Sequence, residues 1–182
     1  MALHLANSTE RFGVVSLALH WVMALLVFAL FALGLYMTGL DYTDAWYRSA
    51  PEFHKSFGMA LFVLAILRVG WRLGTVTPAL VPMPKWESIV ALEVHRLFYI
   101  LLLLIPISGY LISTADGRGI EFFGLFEVPA LISSIDKQED VAGAVHLYLA
   151  LFVIGLAGLH TLAALKHHFV DKDATLKRIF GG

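Results

Sequence analysis

The sequence predicts an all-α integral membrane protein, a four-helix bundle with four transmembrane helices. The first observation is composition: of 182 residues, 59% are hydrophobic and 15% are charged, and the mean hydropathy is +0.78. A soluble domain of this size needs a more polar surface. The second observation is that three stretches without Lys, Arg, Asp or Glu are each long enough to cross a bilayer, which takes about 20 residues. We therefore expect a single transmembrane domain over residues 1–182.

Three helices follow directly from these uncharged stretches, which cover residues 12–40, 97–115 and 141–165. The first stretch is longer than the apolar core of a signal peptide, so we expect it to remain as a helix. A shorter uncharged stretch at 56–67 can also span if it extends from Phe53 through Arg68 and Arg72, whose side chains can reach the interface. The expected helices are 12–38, 53–73, 88–115 and 141–168.

The connections between the expected helices are rich in turn residues. Segment 74–85 holds three prolines, and segment 116–140 holds three glycines and Pro129. The second segment also carries apolar side chains at 120–128. It is interpreted either as a segment lying in the membrane interface or as an ordinary packed loop.

Basic residues are distributed unevenly between the two sides of the expected bundle. Nine flank the side that carries both termini, namely Arg11, Arg68, Arg72, Lys85, Arg96, Lys166, Lys172, Lys177 and Arg178. The other side has Arg48, Lys55, Arg118 and Lys137, together with most of the acidic residues. The positive-inside rule therefore predicts that both termini are cytoplasmic and that the outer surface is acidic.

Composition also limits the chemistry. The chain has no cysteine, which excludes disulfides, thiolate zinc sites, iron–sulfur clusters and covalently attached haem. A net charge of -1 gives no basic surface for nucleic acid. Eight histidines remain as the main metal-ligating resource.

Three of these histidines, His20, His146 and His160, lie in uncharged stretches, where a polar side chain is costly and indicates function. His146 and His160 are separated by about four helical turns, so they share one face at depths about 21 Å apart. His54 opens the second helix at the outer side and is the natural partner of His146. At the cytoplasmic side either His20 or His95 could face His160; we favour His20 because it lies in apolar sequence.

Two histidine pairs at two depths are typical of a protein that binds two b-type haems, since imidazole can hold haem iron without any thioether link. A zinc or copper site would gather three or four ligands at one depth. A proton relay would favour carboxylates inside the membrane, and the long uncharged stretches have none. Taken singly, each buried histidine is more often a hydrogen-bonded structural residue than a ligand. The pattern as a whole predicts a transmembrane electron path.

Several motifs resemble one known family. They are Leu19-His20-Trp21, His54-Lys55-Ser56-Phe57-Gly58, Arg68 with Arg72 and the following prolines, His146 with His160, and the run Lys166-His167-His168-Phe169-Val170-Asp171-Lys172-Asp173. Together they resemble the bacterial cytochrome b561 family, small di-haem b cytochromes of the inner membrane. That family is related to the superoxide oxidase type and to cytochrome b subunits of hydrogenase and formate dehydrogenase.

The resemblance implies axial haem ligation by His20 and His160 on the cytoplasmic side and by His54 and His146 on the outer side. It also implies location in the bacterial inner membrane and electron exchange between ubiquinone and a periplasmic donor or acceptor. His95 matches a family histidine near the cytoplasmic haem.

Two other functions are implied by the resemblance. One is a superoxide:ubiquinone oxidoreductase, for which Lys55 and Arg118 are candidate attractors of the anion on an otherwise acidic surface. The other is a haem-containing membrane anchor for a partner oxidoreductase or a small periplasmic isoprenoid-binding protein, suggested by the segments 112–119 and 126–130.

The remaining candidates lie on the cytoplasmic side. Arg68 and Arg72, one helical turn apart, could bind haem propionates or lipid phosphates. His95 and His167 are candidates for a quinone or proton site, or are structural.

Overall fold

The computed structural model describes residues 4–181, so residues 1–3 and 182 of the expected domain lie outside it. Four long helices form the molecule, and each is long and apolar enough to cross a membrane. They are α1 (Val14–Met37), α2 (Ser49–Gly74), α3 (Lys85–Ser113) and α4 (Gln138–Phe169). The predicted helical membrane bundle is confirmed, and the chain is a multi-pass membrane protein.

Three helices begin earlier than the sequence predicts, because reasoning from uncharged stretches leaves out their polar first turns. α2 begins at Ser49 and accommodates Pro51, since a first turn needs no N–H from its third residue. α3 begins directly after Pro84. The first turn of α4 contains Glu139 and Asp140, whose charges favour a helix N-terminus.

The helices pack in sequence order, α1 on α2, α2 on α3 and α3 on α4, whereas α1 and α4 make few contacts with each other. A small apolar core centres on Met23 and Leu30 of α1 with Leu61 and Ala65 of α2. Most other large apolar side chains point outward, as expected for a surface solvated by lipid. The bundle is therefore open along one side, between α1 and α4.

A β-hairpin in the connection between α3 and α4 was not anticipated from the sequence. β1 (Ile120–Phe122) pairs antiparallel with β2 (Phe126–Val128). Three residues, Phe123-Gly124-Leu125, connect the strands; the first two have positive φ, as the central positions of a type I′ turn require, and the Leu125 N–H donates to the Phe122 carbonyl at 2.9 Å. Strands of three residues are too short for their alternation to be recognised in a sequence.

Ser56 of α2 attaches this hairpin to the bundle. Its hydroxyl donates to the Glu121 carbonyl (3.2 Å) and accepts from the Phe123 N–H (3.0 Å), and the serine is only 2% exposed. The Phe57 and Phe123 rings meet edge to face, with centroids 5.0 Å apart. Leu125, by contrast, is 77% exposed beyond the turn. One side of the hairpin is thus packed, as in an ordinary packed loop, while the location of its exposed apolar tip in the membrane interface stays a prediction.

The last helix is α5 (Thr175–Ile179), a single short element after α4. It lies at the same end of the bundle as the start of α1, where its Ile179 carbonyl accepts from the Trp21 indole N–H. We call this end the terminal end and the opposite one the hairpin end.

Substituting Ser56→Ala should loosen the hairpin without unfolding the bundle. The substitution leaves the Phe123 N–H and the Glu121 carbonyl without this partner, and each such loss in a buried place costs about 1–3 kcal/mol. We expect amide hydrogen exchange at Phe123 to accelerate by at least about fivefold. Ser88→Ala, which removes a weak exposed contact (3.4 Å), is the control. Unchanged exchange at Phe123 would contradict the attachment.

Candidate functional site

Five histidines of the bundle lie in two groups at opposite ends. His54 and His146 face each other at the hairpin end. His20, His95 and His160 line one cavity at the terminal end. The two depths predicted from the sequence are therefore present in the structure.

The hairpin-end pair has the spacing of two imidazoles on one metal ion. The His54 and His146 ring centroids are 6.1 Å apart and the rings are inclined by 74°. Two imidazoles that share a metal stand about 6 Å apart, because each metal–nitrogen bond is about 2 Å and the nitrogen lies about 1 Å from its ring centre. The pair therefore fits bis-histidine ligation.

Hydrogen bonding sets the tautomer of His146. Its Nδ1 lies 3.0 Å from the Ile105 carbonyl and 3.1 Å from the Ser108 hydroxyl. Since a carbonyl only accepts, Nδ1 carries the proton and Nε2 keeps its lone pair for a metal. Gly109 makes this approach possible, because a Cβ there would lie 3.2 Å from His146 Cε1.

His54 is seated on α1 in a similar way. A Cβ on Gly34 would lie 3.2 Å from His54 Cε1. His54 Nδ1 is buried and has no hydrogen-bond partner among the described residues, while the Leu30 carbonyl faces it just beyond good geometry. Leu30 and Gly34 stand in the same i, i+4 relation as Ile105 and Gly109. The His54 and His146 rings thus each approach a neighbouring helix at the same kind of place. There, the residue one turn after a backbone carbonyl is a glycine.

The terminal-end cavity is lined by residues from all five helices. Besides the three histidines, its wall includes Arg68, Phe98, Tyr99, Leu102, Val153, Ala157, Leu176 and Ile179. The His95 and His160 ring centroids are 5.3 Å apart, nearly perpendicular, and Phe98 stacks edge to face on His160 at 5.5 Å. The wall is mainly apolar with a few convergent polar groups, as expected for a cofactor site.

Two histidines, His20 and His95, are candidates to pair with His160. His95 Nδ1 donates to the Ala91 carbonyl at 2.6 Å, so its Nε2 lone pair is free. His20 Nδ1 instead lies 3.3 Å from a guanidinium nitrogen of Arg68, which can only donate. That contact places the proton of His20 on Nε2. For His20 to bind iron through Nε2, Arg68 must move away.

The other basic candidates are distributed more widely. Arg72 is not among the residues that line the cavity. Lys55 is half-buried beside His54. Arg118 is exposed and pairs with Asp116; their hydrogen bonds lower the pKa of Asp116 and raise that of Arg118. The charge of Arg118 is therefore largely compensated.

His167 lies outside the cavity wall, in a charged network that the sequence did not reveal. Its Nδ1 is 2.8 Å from Asp173 and 3.1 Å from Asp171, and its Nε2 is 3.7 Å from Glu87. Lys166 bridges Glu87 and Asp171, at 2.8 Å from each. Only the density of charge in 166–173 hinted at this arrangement.

Comparison with known proteins identifies the family of this chain. Residues 11–182 match the family model described as prokaryotic cytochrome b561. The chain is 48% identical to cytochrome b561 homolog 2 of Escherichia coli, over 96% of this chain and 94% of that protein. It is 33% identical to a probable superoxide oxidase CybB of Yersinia pestis, over 93% and 96%. Cytochrome b561 homolog 1 of Escherichia coli is 27% identical over 93% and 97%.

The chain therefore belongs to the prokaryotic cytochrome b561 family, and the resemblance inferred from its motifs is confirmed. This family consists of membrane cytochromes that bind b-type haem and transfer electrons. The histidine pair and its fixed tautomer fit such a group.

Substituting Gly109→Val should lower the haem content of the purified protein. A Cβ at this position would already lie 3.2 Å from His146 Cε1. A branched side chain would therefore push the His146 ring away from the Ile105 carbonyl. The measurement is haem per chain by the pyridine complex. Gly70→Val is the matched control, because a Cβ at Gly70 meets nothing within 4 Å. Equal haem content in both variants would contradict the proposed seating of His146.

Proposed function

We propose that this protein carries electrons across the bacterial inner membrane through two b-type haems. Ubiquinone exchanges electrons at the terminal end, and a periplasmic donor or acceptor does so at the hairpin end. The observation that carries this proposal is the 6.1 Å spacing of the His54 and His146 rings, together with a second group of histidines that lines a cavity at the other depth. When bound, haem supplies one-electron chemistry at its iron, and the protein supplies ligands and surroundings.

At the hairpin end, His54 and His146 would hold the haem iron. The Ile105 carbonyl and Ser108 hydroxyl hold the Nδ1 proton of His146, which keeps Nε2 directed away from α3. Such outer contacts orient a ligand and raise its basicity. The unpartnered Nδ1 of His54 gives that ligand a weaker anchor.

At the terminal end, His20 and His160 would hold the haem iron, with His95 beside them. Arg68 is free to leave His20 if it gains a haem propionate, because a carboxylate is a far better acceptor for a guanidinium than an imidazole is. Arg72 is the proposed second partner for a propionate or for a lipid phosphate. This exchange would return the Nδ1 proton to His20.

The terminal end is proposed to face the cytoplasm because it carries nine of the thirteen basic residues. Ubiquinone, being lipid-soluble, would approach through the open side between α1 and α4. His95 lines the cavity there and is the proposed contact or proton donor. His167, whose ring lies between the carboxylates of Glu87 and Asp173, is the proposed proton-transfer residue outside the cavity.

The first test is the reduced-minus-oxidised visible spectrum of the purified protein with its haem quantified. We expect two low-spin b haems per chain. His54→Ala and His146→Ala should each remove the same haem, and His20→Ala and His160→Ala the other, each leaving about half of the haem. His168→Ala is the control.

If His95→Ala rather than His20→Ala removes the terminal-end haem, the pairing with His20 is wrong. Complete absence of haem would leave the membrane-anchor function for a partner oxidoreductase or an isoprenoid-binding protein. Reduction of the isolated protein by a quinol analogue would argue against that function.

A second candidate function is superoxide:ubiquinone oxidoreductase, favoured by the relative described as a probable superoxide oxidase. An anionic substrate needs local positive charge, and Lys55 and Arg118 are the candidates on the acidic outer side. The ion pair of Arg118 with Asp116 weakens this attraction.

For this candidate, the combined substitution Lys55→Gln and Arg118→Gln should slow haem reduction by superoxide about tenfold at low ionic strength, since steering by charge depends on salt. Arg48→Gln, on the same side of the bundle, is the control. Asp116→Asn should accelerate the reaction by freeing Arg118. Rates that do not respond to any of these changes would leave Lys55 and Arg118 without a role in steering.

A further inference from the structure

The short helix α5 forms part of the wall of the terminal-end cavity. Leu176 and Ile179, both in α5, line it together with His20 and His160. A five-residue helix after the last transmembrane span thus contributes two apolar side chains to the cavity wall at the terminal end.

Trp21 joins α5 to α1. Its indole N–H donates to the Ile179 carbonyl at 3.0 Å, and its ring stacks on Phe180 with centroids 4.9 Å apart. The other side of the Trp21 ring system meets His20, at 5.2 Å between centroids. α5 therefore contacts a residue adjacent to a cavity histidine.

Arg178 joins α5 to two further segments. One guanidinium nitrogen donates to the Ala79 carbonyl at 2.7 Å, in the connection between α2 and α3. The other donates to the Glu10 carbonyl at 2.6 Å, in the segment before α1, and the group lies 5.8 Å from the Phe12 ring centroid. A charged donor with two backbone acceptors is a strong tie, because each such bond exceeds a neutral one.

Asp173 joins α5 to the end of α4. Its Oδ1 accepts the Thr175 N–H at 2.7 Å, which caps the start of α5, and its Oδ2 accepts from His167 at 2.8 Å. The helix is thus fixed at its start by Asp173 and near its end by Arg178 and Trp21.

The same cavity remains open toward the membrane. α1 and α4 make few contacts with each other, and Phe28, Thr161 and Leu165 combine cavity lining with exposure on the lipid-facing surface. Wall residues of the cavity are therefore exposed on the surfaces of α1 and α4, whereas α5 contributes its wall at the terminal end.

We propose that α5 is a strap that keeps water and water-soluble redox partners out of the terminal-end cavity. Arg178 is the residue that holds this strap in place and so determines which molecules reach the cavity. The strap restricts exchange at this site to lipid-soluble molecules that enter between α1 and α4. Its consequence for electron transfer rests on the proposed terminal-end haem; the closure itself does not.

The closure can be tested without haem by labelling a single introduced thiol. The chain has no cysteine of its own that would react with the label. A single Ala164→Cys substitution places a thiol in the cavity wall on α4. Its reaction with a membrane-impermeant maleimide is then measured in lipid nanodiscs, in otherwise unchanged protein and with Arg178→Ala or Lys177→Ala added. Lys177 is exposed and has the same charge, which makes it the matched control.

We expect Arg178→Ala to accelerate labelling about tenfold, since losing two charge-assisted hydrogen bonds favours local opening, and Lys177→Ala to leave it unchanged. A chain ending at Ala174 removes α5 entirely and covers the case in which Trp21 alone holds the strap. Equal labelling in the full chain, the Arg178→Ala variant and the shortened chain would overturn the proposal.

The haem-dependent consequence is measured separately. In the Arg178→Ala variant, a hydrophilic reductant should reduce the terminal-end haem about tenfold faster, while the hairpin-end haem keeps its rate. Absence of that haem from the unsubstituted protein would contradict the proposed function, whereas the maleimide rates would still decide the closure. Presence of the haem with unchanged reduction rates would contradict the strap as a barrier.

Discussion

An imidazole inside a lipid bilayer must satisfy two ring nitrogens without help from water. A buried polar group left without a partner costs several kcal/mol in hydrocarbon. At the hairpin end, the Ile105 carbonyl takes one nitrogen of His146, and the opposing His54 lies at the distance that a shared metal would bridge. This requirement couples α4 to α3, where the His146 ring reaches the Ile105 carbonyl, and it couples α4 to α2, where His54 lies opposite His146.

Glycine makes that reach possible. Within a helix each carbonyl is shielded by the side chains one turn later, so a ring can approach it only where that later residue is small. Gly34 follows Leu30 by one turn and Gly109 follows Ile105 by one turn, and at both glycines a Cβ would press on a histidine Cε1. At these two positions the absence of a side chain therefore serves both purposes. It lets the neighbouring helix come close, and it leaves room for the histidine ring.

The four helices could be predicted from the sequence because lipid imposes a simple rule on length and charge. The first turns of α2, α3 and α4 contain charged or polar residues, which a search for uncharged stretches leaves out. The predicted starts of these helices are therefore too late. The opposition of His54 and His146 followed from depth alone, since helices that cross a bilayer fix depth by residue number. The contact of Gly109 with His146 could not be predicted, because it depends on the rotation of α3 relative to α4. Neither could α5, whose position depends on Arg178 meeting backbone carbonyls from two distant segments.

The two ends of the bundle differ in how completely their geometry is set. At the hairpin end the rings of His54 and His146 already stand 6.1 Å apart, and the hairpin is fixed to α2 two residues beyond His54. At the terminal end Arg68 donates to His20, and the His95 and His160 ring centroids are 5.3 Å apart, closer than those of the hairpin-end pair. A rigid pair suits a relay that only passes an electron, because its ligands need little reorganisation. A wider cavity with a movable arginine and an opening to lipid suits the end where a bulky partner must enter and leave. Under the proposed function, the distribution of hydrogen-bond partners therefore assigns the relay to the hairpin end and the exchange of quinone to the terminal end.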